Sequence, residues 1–339
     1  MGPGRLTQTG LPGLPPGVWC MTAISRISTR IRGANRARGS SGLARREIRW
    51  GLLFLSPWIF GFLVFTLLPM VASLAFSLTN YNPIHPEQLQ FVGLTNYGRM
   101  FSDPLMGQAW GVTLRFVLIS VPLSIAFPLA LAVLVNSEKL FAKNLYRTLF
   151  YMPTMIPIVV NVIIWGGIMN TETGWLNRAI EFLFHVQGPA WYQDQAWVIP
   201  ALTIMGFWGV GNTMLIMLAG LQNVPTELYD ASKVDGAGGI QRFLRVTLPM
   251  ISPVIFYNLM LAIIGSFQYF VQAYIIGNGR GDPNGATMFY NLYLYRTAFN
   301  FLDMGYGATL AWAMFIVVLI LTIILWKSQR RWVYYAGGE

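Results

Sequence analysis

Six stretches of this chain are long and apolar enough to cross a bilayer, and none of them contains Asp, Glu or Lys. A membrane-spanning helix needs about 20 mostly apolar residues. The stretches are Gly51–Leu78, Trp110–Val135, Thr148–Met169, Ala196–Leu221, Leu248–Ile276 and Met304–Trp326. They are continuous rather than alternating, which excludes a membrane barrel. Their one charge is Arg115, one turn and a half inside the second stretch, where it can snorkel to the interface. Only 11% of the chain is charged, against about 25% in soluble domains. A soluble fold and global disorder are both excluded. Twelve Trp and 15 Tyr suit a chain with two membrane interfaces to line. One cysteine, Cys20, and two histidines, His85 and His185, offer neither a disulfide framework nor a metal site, so no cofactor is expected.

Orientation follows from the connections. Alternate connections and both ends carry 18 Lys and Arg, and the opposite set carries four. Basic residues stay cytoplasmic, so both termini are expected there. Of the net charge of +10, residues 1–50 carry +8 through nine Arg and one Glu. The basic charge is a tail rather than a nucleic-acid-binding face. Residues 1–49 read as a disordered basic tail with no signal peptide, 50–335 as a six-span domain, and 336–339 as a C-terminal tail. Met21 stands beside Met1 as a candidate start. Pro and Gly recur within the spans, which favours a bundle that encloses a path or moves. On the outer side, Trp175–His185 reads as a short amphipathic helix, suited to the membrane surface or to an external partner.

The cytoplasmic segment 222–249 differs from the other connections. Pro225 suits a first helical position and Glu227 the positive end of a helix. Leu228, Ala231 and Val234 form a short apolar stripe. Gly236 can end that helix and Gly238-Gly239 permit a turn. Ile240, Phe243, Leu244 and Val246 begin a second amphipathic piece. An apolar stripe with no domain of its own to cover it calls for a partner.

The spacing Asp230-Ala231-Ser232, Asp235-Gly236-Ala237 and Val246-x-Leu248-Pro249 resembles the EAA loop of ABC importer permeases. Gly93–Tyr97, Tyr146–Pro153, Leu218–Gln222, Ser266–Gln268 and Met304–Tyr306 each resemble stretches of the carbohydrate-uptake branch, on its MalF-like subunit. The resemblance implies an all-α membrane fold of six transmembrane helices with a cytoplasmic coupling helix. It implies contact with a cytoplasmic ATP-binding subunit through Glu227, Asp230, Ala231, Asp235, Gly236, Leu248 and Pro249. It also implies a second permease subunit, an extracytoplasmic solute-binding protein and a sugar substrate. Asp230 stands where the family has Glu, one methylene shorter, and Ser232 replaces the second Ala.

Distance from that loop carries the family's sugar positions to Met205, Trp208, Gly209 and Asn212 on the fourth span. On the fifth it gives Ala262, Ser266 and Tyr269, with Gln268 and Gln272 nearby. Each set shares a helical face. Trp and Tyr can stack on a pyranose, and Asn and Ser can pair with hydroxyls; helix–helix hydrogen bonding is the alternative role. The lack of an intramembrane cation there argues against a phosphorylated or carboxylated substrate. No Gly-Lys dipeptide occurs, so the chain has no P-loop and is expected to be no enzyme. A self-sufficient secondary transporter of a small polar solute is the alternative, but the spans hold no carboxylate or His for proton coupling.

Overall fold

The computed structural model describes residues 42–335, with side chains from Arg45 onward. They divide into two units at Val71/Ala72. In the first, helix α1 spans Gly42–Phe62 and runs through a π-turn, Leu63–Leu67, into α2, Leu68–Ser77, which crosses into the second unit. The described helix thus includes residues 42–49, which the sequence assigns to the tail. Leu43, Ala44, Arg45, Arg46 and Glu47 are good helix formers with no proline among them. The expectations for residues 1–41 and 336–339 lie outside the described residues.

The second unit is helical throughout, and among the described residues its β-type pairing is the isolated bridge Thr79–Phe91. After a short helix α3 (Thr95–Ser102), α4 runs from Pro104 to Asn136. Asp103 caps α4 by accepting from the Leu105 N–H at 3.0 Å, with Pro104 in the first turn. Arg115 is exposed, and the 20 residues after it are uncharged.

The stretch expected as one span at Thr148–Met169 is broken. Helix α5 (Lys143–Tyr151) tightens into a 3₁₀ turn ending at Met155, and α6 (Ile158–Ile168) leaves at 105°. The cause is local: Ile156 precedes Pro157, so its helical region is blocked and it is extended (φ −77°, ψ 126°). Helix α7 (Trp175–Phe184) follows. The fourth stretch is bent too, by 56°, between α8 (Val198–Trp208) and α9 (Gly211–Gln222). Among the described residues, four continuous helices are long and apolar enough to cross a membrane, and the two bent pairs bring the total to six if each is one span.

Helices α10 (Thr226–Val234) and α11 (Gly239–Arg242) form the next connection. Then come α12 (Ser252–Phe267), α13 (Val271–Ile276), α14 (Tyr290–Tyr295) and the final helix α15, Met304–Trp332. The loop before α14 does not stay at the surface: Thr287, Phe289 and Tyr290 are fully buried. The Tyr290 N–H donates to Thr113 Oγ1 at 2.9 Å and its hydroxyl to the Leu310 carbonyl at 2.7 Å, which ties α14 to α4 and α15.

Two of the apolar cores pack against α4. One gathers Met106, Val112 and Phe116 of α4 with Leu202, Phe289, Tyr306 and Leu310. The other gathers Ala132 and Val135, at the far end of α4, with Met214, Met217, Leu221 and Ile251. Helix α4 is packed at both ends. Its middle, at Ser120 and Ser124, faces open space.

Candidate translocation site and coupling loop

Two adjoining cavities, of about 410 and 350 Å³, share Phe116, Ser120, Gly206, Asn212 and Tyr269. That size suits a small-molecule site. They lie where α8 bends into α9. Gly209 and Val210 interrupt the hydrogen-bond ladder there, and a break in a span is tolerated only where protein or a water-filled cavity covers it. Close approach makes the bend possible: a Cβ on Gly211 would lie 2.3 Å from the Phe150 carbonyl oxygen. Only glycine lets α9 meet α5 at that distance.

Aromatic rings wall the site. Tyr269 packs on Phe116 at 4.4 Å and on Phe289 at 5.0 Å between ring centroids. Ser120 Oγ and Ser266 Oγ are 3.4 Å apart across it. Asn161 and Tyr269, which line the larger cavity, each bury a polar atom without a hydrogen-bond partner in the protein, the Asn161 Oδ1 and the Tyr269 hydroxyl. A buried polar group left unpaired costs about 1–3 kcal/mol, so a ligand offering donors and acceptors would be favoured here.

Of the residues singled out by sequence, Met205, Gly209, Asn212 and Tyr269 line the larger cavity, and Asn212, Ala262, Ser266 and Tyr269 line the smaller. Trp208 lines neither. It packs edge-on against Trp165 at 5.9 Å. Gln272 lines the larger cavity and Gln268 does not. Sequence reasoning missed Ser120, Thr154 and Asn161. Asn161 was the findable one, as the lone amide in the apolar run of α6.

The connection 222–249 has its own geometry. Pro225 sits just before α10 rather than inside it, with Glu227 in the first turn and Lys233 in the last. The helix ends at Val234, and Gly236 takes φ +75°, which a Cβ would penalise. The Tyr229 hydroxyl meets Thr247 Oγ1 at 3.0 Å, joining the two halves. Tyr229 and Val246 pack on the second core. Outward, Val234 is 88% and Ile240 79% exposed. Asp230 pairs with Lys233 at 2.8 Å, a surface bridge of little energetic weight.

At the opposite end of the bundle, Arg99 bridges Asp303 at 2.7 Å and covers the Tyr306 ring at 4.1 Å. Asp103 accepts hydrogen bonds from the hydroxyls of Tyr293 and Tyr306. Burial pushes the Asp103 carboxyl up, but those hydroxyls and the Leu105 and Met106 amides outweigh it and hold it below its ordinary value. Burial and the neighbouring carboxylate push the Tyr293 phenol up to about 12.

A family model described as the binding-protein-dependent transport system inner membrane component matches residues 124–332. The probable ABC transporter permease protein YesP of Bacillus subtilis (strain 168) is 40% identical over 311 residues, covering 91% of this chain and 98% of that protein. The lactose transport system permease protein LacF of Rhizobium radiobacter is 31% identical over 284 residues, covering 83% and 94%. A chain in the crystal structure of a bacterial alginate ABC transporter, in complex with alginate pentasaccharide-bound periplasmic protein, matches with a TM-score of 0.72 at 21% identity, covering 86% of this chain and 98% of that one. At that identity the likeness is one of fold.

Proposed function

The chain belongs to the family of binding-protein-dependent transport system inner membrane components, and we propose that it passes a sugar or oligosaccharide across the cytoplasmic membrane, driven by ATP hydrolysis on a separate subunit. It is a multi-pass membrane protein, and both termini are cytoplasmic in this reading. The observation that carries the substrate class is the pair of unpartnered polar atoms, Asn161 Oδ1 and the Tyr269 hydroxyl, on residues that line a cavity walled by aromatic rings. A pyranose has apolar C–H faces for rings and hydroxyls for such atoms. Several relatives carry sugars in their names, among them the lactose permease protein LacF and the arabinooligosaccharides transport system permease protein AraP of Bacillus subtilis (strain 168).

Met205, Gly209, Asn212, Ala262, Ser266 and Tyr269 line the path in this proposal, with Ser120 and Asn161 added and Trp208 behind them. The coupling surface is the segment Pro225–Pro249, including Glu227, Asp230, Ala231, Asp235, Gly236 and Leu248. Its exposed Val234 and Ile240 dock on the ATPase, while Tyr229 and Val246 transmit the push to the core beside α4 and α9. The bends at Pro157 and Gly209 let α6 and α9 respond. A second permease subunit completes the path, and a solute-binding protein delivers the sugar at the face opposite the coupling loop.

The test is reconstitution of the chain with its second permease and ATPase in proteoliposomes, with the binding protein supplied. Sugar uptake should require ATP, the binding protein and this chain together. Uptake by this chain alone along an ion gradient would replace the proposal with a secondary transporter.

A further inference from the structure

Helix α7 (Trp175–Phe184) turns an apolar surface outward. Trp175 is 78%, Phe182 80% and Leu183 66% exposed, whereas its inward face holds Asn177, which is buried. That face is held tightly. Asn177 Nδ2 donates to the carbonyls of Thr171 at 3.1 Å and Pro189 at 3.1 Å, and its Oδ1 accepts from Trp191 Nε1 at 2.6 Å. The turn into α7 is fixed as well: Asn170 Oδ1 accepts from the Glu172 and Thr173 amides. A Cβ on Gly174 would lie 2.3 Å from the Asn170 carbonyl oxygen. Helix α7 is therefore a rigid extension of α6.

Helix α6 needs such an extension. Its 11 residues span about 16 Å, roughly half of a hydrocarbon core, and the 105° break leaves it without a straight continuation. Its own outward side is apolar, at Val159, Val160 and Ile163, and α7 begins seven residues after α6 ends. Both α6 and α7 thus carry exposed apolar surface. A helix with aromatic residues on one face and a basic side chain, Arg178, at its edge suits the plane between headgroups and acyl chains.

We propose that α7 is an interfacial anchor that lies in the outer leaflet of the bilayer and holds the broken third span at its depth. The occupant of its apolar face is lipid. A solute-binding protein that docks and leaves in water is poorly matched to a face that holds Trp175, Phe182 and Leu183 together with few polar groups among them.

The experiment places a nitroxide at Phe182→Cys, in a Cys20→Ser background, in the assembled transporter in nanodiscs of phosphatidylethanolamine and phosphatidylglycerol. The ratio of accessibility to oxygen over a water-soluble nickel chelate should be several-fold higher than for a label at Glu87→Cys, an exposed residue of the loop after α2. It should not change when the soluble binding protein is added. High nickel accessibility, or protection from both reagents, overturns the proposal, the second outcome in favour of a protein partner. A double variant, Trp175→Glu with Phe182→Glu, should lower the amount of assembled transporter in the membrane several-fold, and Trp175→Leu with Phe182→Leu should restore it. Equal amounts of assembled transporter for all three would also overturn it. None of these readouts depends on which solute is carried, so failure here leaves the proposed function standing, and the reverse.

Discussion

The rings of Tyr269 and Phe116 lie 4.4 Å apart, on the wall common to both cavities, and the Tyr269 hydroxyl reaches no partner in the protein. Stacking fixes the ring, and in the proposed function the unpartnered hydroxyl turns to the solute. Tyr269→Phe keeps the ring and removes that hydroxyl alone. A hydrogen bond is worth about 1 kcal/mol, so the KM for uptake should rise roughly fivefold while thermal stability holds or improves. A fall in stability with unchanged KM would show that the hydroxyl serves packing.

Gly211→Ala places a methyl carbon 2.3 Å from the Phe150 carbonyl oxygen and 2.7 Å from the Tyr151 Cα. Backbone cannot step aside, so α9 must move off α5, at a cost of about 1–3 kcal/mol for overpacking. Thermal unfolding in detergent should drop for this variant. Gly167→Ala, whose Cβ meets nothing within 4 Å, should leave the transition where it was. Equal transitions for both would mean that the α5–α9 crossing is looser than described.

Asp103 should make its own end of the bundle acid-labile. Its folded-state pKa is depressed, so its contribution is full above the unfolded value of about 3.9 and is lost as pH falls through the folded value. Tyr293 has the opposite sign. Its pKa is raised to about 12, so its contribution is full below about 10 and lost as pH rises through the folded value. Wild type should therefore exceed Asp103→Asn in thermal stability across roughly pH 5 to 9, and the gap should close in strong acid. A gap that widens on acidification would contradict the assignment.

The apolar runs were legible because lipid permits little else: long uncharged stretches led directly to α1–α2, α4, α12–α13 and α15. Prolines announced bends but not their size. Pro157 blocks the helix at Ile156 by local sterics, yet the 105° turn depends on how α5 and α6 pack afterwards. The segment Ala286–Tyr293 gave no sign that it would sink into the bundle, because its burial rests on distant partners, Thr113 and the Leu310 carbonyl. Site residues reckoned from the segment 222–249 reached only the stretches α8–α9 and α12–α13. Ser120 and Asn161 come from helices that the reckoning never touched. Trp208 fell on the expected helical face, but its ring turned to Trp165.

The connection between α9 and α12 offers a separate test. Gly236→Val forces a β-branched residue to φ +75°, costing about 1–2 kcal/mol and shifting α10 against α11. Asp230→Lys reverses the charge beside Lys233. Association of the ATPase should weaken in both variants, and for Asp230→Lys more at low salt than at high salt, since exposed charges are screened. Wild-type association and stimulated ATP turnover in both would remove this segment from the coupling role.

The most direct test of the central claim is thiol chemistry at the site itself. Asn212→Cys, in a Cys20→Ser background, puts one thiol on the wall shared by both cavities. In the reconstituted transporter, a bulky thiol reagent should block uptake, and the transported sugar should protect against the block. Complete modification with undiminished uptake and no protection by sugar would show that the solute does not pass this way.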